Sequence, residues 1–103
     1  MADDWDHMLA SRIEGATVLV GLTHVTAEGE RREQFFGTAM AVLPGDGVVL
    51  RLEGSRAGEL YTLPPDLDAF EAAGPGTYRL KATGEDVVDP DYTASWTISA
   101  PTN

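Results

Sequence analysis

Beyond residue 15 the chain alternates apolar and polar side chains in short runs, each closed by glycine, proline or a charged cluster. Such period-two alternation marks half-buried strands, because successive side chains point to opposite faces. ATVLVGLTHV (16–25) predicts a first strand with Val18, Val20 and Leu22 on one face. Thr17, Leu19, Thr23 and Val25 take the other, and Gly21 leaves a gap. TAEGERRE (26–33) reads as a charged hairpin loop, and QFFGTAMAVL (34–43) as a second strand, apolar on both faces. Phe35 and Phe36 are adjacent, so they must face opposite sides. Gly37 and Ala39 share the Phe35 face and leave room for bending or close packing.

Pro44-Gly45-Asp46-Gly47 is a turn signal. VVLRL (48–52) is a third strand, residues 54–58 another turn, and ELYTL (59–63) a fourth strand. TYRLKA (77–82) sets Tyr78, Leu80 and Ala82 against Arg79 and Lys81. TGEDVVDPDYTA (83–94) reads as an acidic loop, and SWTIS (95–99) as a last strand with Trp96 and Ile98 on one face.

Two segments break the alternation. Near the N-terminus, Trp5, Met8, Leu9 and Ile13 follow the stripe of an amphipathic helix, with Asp3 and Asp4 as caps and Gly15 as its stop. In LPPDLDAFEAAGPGTYRL (63–80), Pro64 and Pro65 lack the N–H that a strand ladder needs. Asp66 and Asp68 favour a helix start, Leu67 and Phe70 lie three apart, and Gly74-Pro75-Gly76 stops the segment. A short helix near residues 66–73 follows from these signals. It is too short to stand alone and must pack Leu67 and Phe70 onto the sheet. It turns a corner and plugs an end of the structure, rather than acting as a surface lid.

The succession of helix, four strands, short helix and two strands indicates a mainly β single domain over 1–103. The first expectation is a small, strongly bent antiparallel sheet or barrel of SH3-like or Sm-like form. The second is an open sheet packed on the N-terminal helix.

Composition narrows the chemistry. There is no cysteine, which excludes disulfides and thiolate metal sites and fits a reducing cytoplasm. The start is acidic where a signal peptide would be basic, and no apolar run approaches the ~20 residues that span a bilayer. These features predict a cytoplasmic protein. The net charge of −10 is spread over both halves of the chain and repels nucleic acid and anionic membrane. Its plainest consequence is solubility; an acidic face for a basic partner is the sharper one.

His7 lies beside Asp3, Asp4 and Asp6, and His24 near the end of the first strand. Either could in principle bind metal or act as a base, but solvated surface roles fit their spacing better. Glu85, Asp86, Asp89 and Asp91 hold enough oxygens for a cation without the calcium-loop spacing of an EF-hand. The serines have no nucleophile-elbow setting, and LPGDGVV leads into a strand where a phosphate loop would need a helix. No metal, cofactor or catalytic residue is therefore assigned. Most aromatic residues suit a core, with Trp5 and Trp96 joining the helix to the last strand.

The runs GLTHV, FFGTAMAV, VVLRL, YTLPPDLDAF, PGTYRL, DPDY and WTI resemble those of a group of small bacterial proteins of unassigned function. This resemblance covers about four fifths of the chain and implies a bacterial origin. VVLRLEG also resembles the hydrophobic-Arg-Gly signature of Sm-like RNA-binding barrels, with Glu53 between Leu52 and Gly54 where the signature has Arg directly before Gly. No site residues follow from either.

Three functions remain. The favoured one is a non-catalytic binding or protein-interaction module, with a protein partner or a homodimer formed through a strand edge. A second is a binder of a small anionic ligand, or an enzyme, with a pocket under the 64–76 segment and Tyr61, Phe70, Tyr78 and Arg79 near its mouth. The third is an acidic protein of the immunity or nucleic-acid-mimic kind.

Overall fold

A computed structural model describes residues 5–99. One helix, α1 (His7–Ile13), precedes eight strands: β1 (Thr17–Thr26), β2 (Gly29–Leu43), β3 (Gly47–Leu52), β4 (Leu60–Leu63), β5 (Phe70–Ala72), β6 (Thr77–Arg79), β7 (Asp86–Val88) and β8 (Tyr92–Ser99). Six of them form one sheet in the order β4-β3-β2-β1-β8-β5, and β6 and β7 pair as a separate two-stranded sheet.

The sheet is mixed and does not close into a barrel, which corrects the first expectation. β8 lies parallel to β1, with Val18 opposite Tyr92 and Val25 opposite Ser99. The other pairings are antiparallel. Alternation of side chains specifies which face is buried but not which strand is the neighbour. The edges stay apart because β4 and β5 are the two ends of the order. An open sheet packed on the N-terminal helix is the better description.

One face carries the core. Val18, Val20, Leu22, Phe35, Ala39, Val48, Leu50, Leu52, Leu63 and Ala94 are buried there, sealed by Ala10 and Ile13 of α1 and by Leu67 and Phe70. The helix starts at Asp6, whose carboxylate accepts from the Leu9 N–H at 3.0 Å. Asp3 and Asp4 lie outside the described residues. Met8, expected on the buried stripe, is exposed, and Ala10 is buried instead. The end of the helix is tied to β2 where the Gly15 N–H donates to Ala39 and the Ala39 N–H to Ala16. β2 is bulged there, at Met40.

Two expected loops contain strand. Glu30 to Glu33 extend β2 to a tight turn, because Thr26 pairs with Gly29. Within the acidic loop, Asp86–Val88 pairs with Thr77–Arg79 as a separate hairpin that buries Leu80 and Val87. The hairpin rests on the outer face of the main sheet. The Ala82 N–H donates to Gln34 Oε1 at 3.0 Å, and Ser55 binds Glu85.

The short helix expected near 66–73 is instead one 3-10 turn, Leu67–Ala69, running directly into β5. One such turn suffices to bring Leu67 and Phe70 onto one side, since residues three apart eclipse in that geometry. Phe70-Glu71-Ala72 then pairs with Ala94 to Tyr92, which satisfies its backbone better than another turn of a marginal helix. Leu67 and Phe70 are buried, so the segment is a corner and a plug. No described helix is long and apolar enough to cross a membrane.

Candidate interaction edge

β4 ends the sheet, and among the described residues no strand lies on its outer side. The ladder to β3 decides which backbone groups face outward. The Leu52 N–H donates to the Glu59 carbonyl at 2.8 Å and the Gly58 N–H to the Leu52 carbonyl at 3.1 Å. Bonded and non-bonded pairs alternate along an antiparallel ladder. Tyr61 and Leu63 therefore exchange bonds with Leu50 and Val48, while Leu60 and Thr62 aim N–H and C=O away from the sheet. Their side chains are also exposed, Leu60 by 68 %. Natural edges are commonly guarded by lysine, inward charge or a bulge. LYTL carries none of these and is limited only by its length and by Pro64 and Pro65.

A polar and aromatic cluster fixes where β4 begins. The Arg56 guanidinium binds Glu59 at 3.2 Å and Glu33 at 2.7 Å, and lies 5.0 Å over the Phe35 ring. Phe35 is 4.8 Å from Tyr61, centroid to centroid. His24 Nε2 is 3.0 Å from Glu33 Oε1. Burial pushes the Glu33 carboxyl up, but hydrogen bonds from His24 and Arg56 outweigh it and hold the group below the ordinary carboxylate value. The hydrogen bond to Glu59 leads those that raise Arg56. With two carboxylates on its guanidinium, Arg56 is occupied as a clamp rather than poised for an anionic ligand.

Sequence reasoning missed this cluster. Glu33 stood in a presumed loop, Arg56 in a turn and His24 alone at a strand end. Only the pairing of β1 with β2, which sets Leu22 opposite Glu33, and the return of the 54–58 turn bring them together.

The four residues expected around a ligand pocket are not gathered into one site. Tyr61 is half-buried against Phe35, at one edge of the sheet. Phe70 is buried at the other edge, 5.6 Å from Trp96 in a T-shaped contact. Tyr78 and Arg79 sit on the separate hairpin, where the Tyr78 hydroxyl donates to the Gly74 carbonyl at 2.8 Å and Arg79 pairs with Asp86 at 3.1 Å. Grooves of about 140 and 380 Å³ lie beside the 64–76 segment, walled by Asp66 and Asp68 and by Glu71 and Ser95. Their carboxylates do not suit the anionic ligand expected there.

The carboxylates of residues 85–91 point to four different partners. Glu85 accepts from the Ser55 N–H at 2.8 Å, Asp86 from Arg79, Asp89 from the Gly76 N–H at 2.8 Å, and Asp91 from the Thr17 N–H at 2.9 Å. Among the described residues no group of three His, Asp or Glu side chains converges as a metal site. Hydrogen bonds from the Ser55 backbone and hydroxyl hold the Glu85 carboxyl below its ordinary value. A depressed folded-state pKa adds stability above the unfolded value and loses it as pH falls through the folded one. Stability should therefore drop as pH falls below about 4.3, the ordinary value for Glu. Thermal melts across pH 7 to 3 check this, and Glu85→Gln should flatten part of the acid limb.

Comparison with protein-family models, curated proteins and solved structures finds no match to this chain.

Proposed function

We propose that the chain is a non-catalytic protein-interaction module that receives an extended protein strand along the outer edge of β4. The observation that carries this reading is the pair of outward residues, Leu60 and Thr62, whose backbone groups meet no neighbouring strand among the described residues, with the Leu60 side chain exposed and no charge within the strand. Added strands gain affinity from main-chain bonds to such an edge. The Arg56 cluster serves the function by presenting β4 in a fixed position, so that little ordering is left to occur on binding. An acidic surface lowers the affinity for nucleic acid, which suits a protein partner.

Thr62→Pro tests the reading. The Thr62 N–H faces away from β3, so proline removes no bond of the ladder but blocks an incoming strand. The variant should keep its circular dichroism spectrum and melt within a few degrees of the parent. Protein captured from a native lysate by the immobilised parent, or association of the chain with itself, should fall at least tenfold. Equal capture and equal association in both proteins would remove β4 as the binding surface.

A further inference from the structure

We infer that the β6–β7 hairpin, residues 76–89, is a latched flap: it leaves the outer face of the sheet and loses its order as one unit while the six-stranded sheet stays folded. Glu85 is the latch. This inference stands apart from the reading of β4.

The ladder of the hairpin is its own. The Leu80 N–H donates to the Glu85 carbonyl at 2.8 Å and the Asp89 N–H to the Gly76 carbonyl at 2.8 Å. Bonded pairs alternate along an antiparallel ladder, so Tyr78 and Val87 are the bonded pair between them. Among the described residues no backbone–backbone bond joins 76–89 to the six-stranded sheet. The nearest ones tie down its stem. The Ala73 N–H donates to the Asp91 carbonyl at 3.0 Å and the Asp91 N–H to the Thr17 carbonyl at 2.9 Å. Gly74, Pro75 and Pro90 separate these bonds from Gly76 and Asp89.

What holds the flap down is local. Leu80 and Val87 are buried, yet neither joins the main core. The tip is fixed through side chains, the Ala82 N–H on Gln34 Oε1 and the Glu85 carboxylate on Ser55. The turn that receives Glu85 is shaped for it. Ser55 offers its N–H at 2.8 Å and its hydroxyl at 3.0 Å. Gly54 before it has φ +69°, and a Cβ there would run into the Glu85 carboxylate and the Phe36 ring. Few buried apolar contacts and no shared ladder mark the part of a structure that opens first. An isolated two-stranded hairpin is marginal in water. Release of the tip and loss of the ladder therefore go together, and they bare Phe36 and Gln34 on β2.

Amide exchange tests this, because the Tyr78, Leu80, Val87 and Asp89 amides report on the flap. In Glu85→Ala these four should exchange together, at least tenfold faster than in the parent, while β1 and β2 amides change less than about twofold. Ser55→Ala keeps the backbone donor and loses the hydroxyl, so it should fall between the two. Asp86→Ala breaks only the exposed pair with Arg79 and should stay within about twofold of the parent. Arg79 and Lys81 give a second readout. Trypsin should cut after them at least tenfold faster in Glu85→Ala, with cleavage after Arg51 in β3 unchanged. A Glu85→Ala protein that loses the sheet as well, or whose flap and sheet amides speed up equally, would make the hairpin part of one cooperative unit and overturn the inference. Four amides that exchange as in the parent would remove Glu85 as the latch. So would an Asp86→Ala protein as damaged as Glu85→Ala.

Discussion

Phe70→Ala should cost ~3–5 kcal/mol, the usual range for emptying a buried aromatic position. Phe70 is only 6 % exposed, and its ring meets Trp96 edge to face at 5.6 Å. It also begins β5, whose pairing with Ala94 ties the chain after Pro64 and Pro65 back to the last strand. Truncation would leave a void against Trp96 and loosen the strand that bounds the sheet. In a domain of this size each kcal/mol moves the melting temperature by about 4–8 °C, so the loss should exceed about 12 °C. Amide exchange at residues 70–72 should accelerate along with it. A change within ±0.5 kcal/mol is what a surface position gives, and would mean that the 64–76 segment is a detachable lid.

Much of this was legible from alternation. Val18, Val20 and Leu22 are buried together as their spacing required, and Phe35 and Phe36 divide between the core and the opposite face. Leu67 and Phe70 enter the core although the helix meant to carry them is a 3-10 turn and a strand. Their burial depended on their being three apart, and either geometry delivers it. What could not be read was adjacency. Whether Trp96 stands beside Leu22 in a parallel pair depends on where the chain goes after residue 63, and nothing local in SWTIS records that. The acidic loop misled for a related reason. Asp86 to Val88 read as loop in sequence, yet they pair with β6, and the Asp89 and Asp91 carboxylates bind the Gly76 and Thr17 N–H groups and hold the chain on either side of β6 and β7. The β4 edge itself was visible as LYTL before two prolines, but its outward parity came only from the Leu52–Glu59 bond.

That parity makes Gly47 the most sensitive glycine on the route to the edge. Gly47→Ala meets two obstacles. The residue has φ +117°, a conformation that costs a side chain roughly 1–3 kcal/mol. A Cβ there would also run into the Leu63 carbonyl, the backbone group by which the end of β4 is bonded to β3. Forcing atoms into a packed site adds about 1–3 kcal/mol. Gly37→Ala isolates the second term, since its backbone is ordinary but its Cβ would strike the Arg51 carbonyl and lie 2.9 Å from Leu52 Cα. Gly45→Ala, with nothing within 4 Å, should stay within about 0.5 kcal/mol of the parent. Denaturant melts should therefore rank the variants Gly45, Gly37, Gly47 in rising damage. Gly47→Ala should further weaken association at β4, because relief of its clash must push Leu63 outward and skew the strand that presents Leu60 and Thr62. If Gly47→Ala melts with the parent and associates normally, the turn can carry a side chain. The close approach of Gly47 to Leu63, on which the position of the edge depends, would then be wrong.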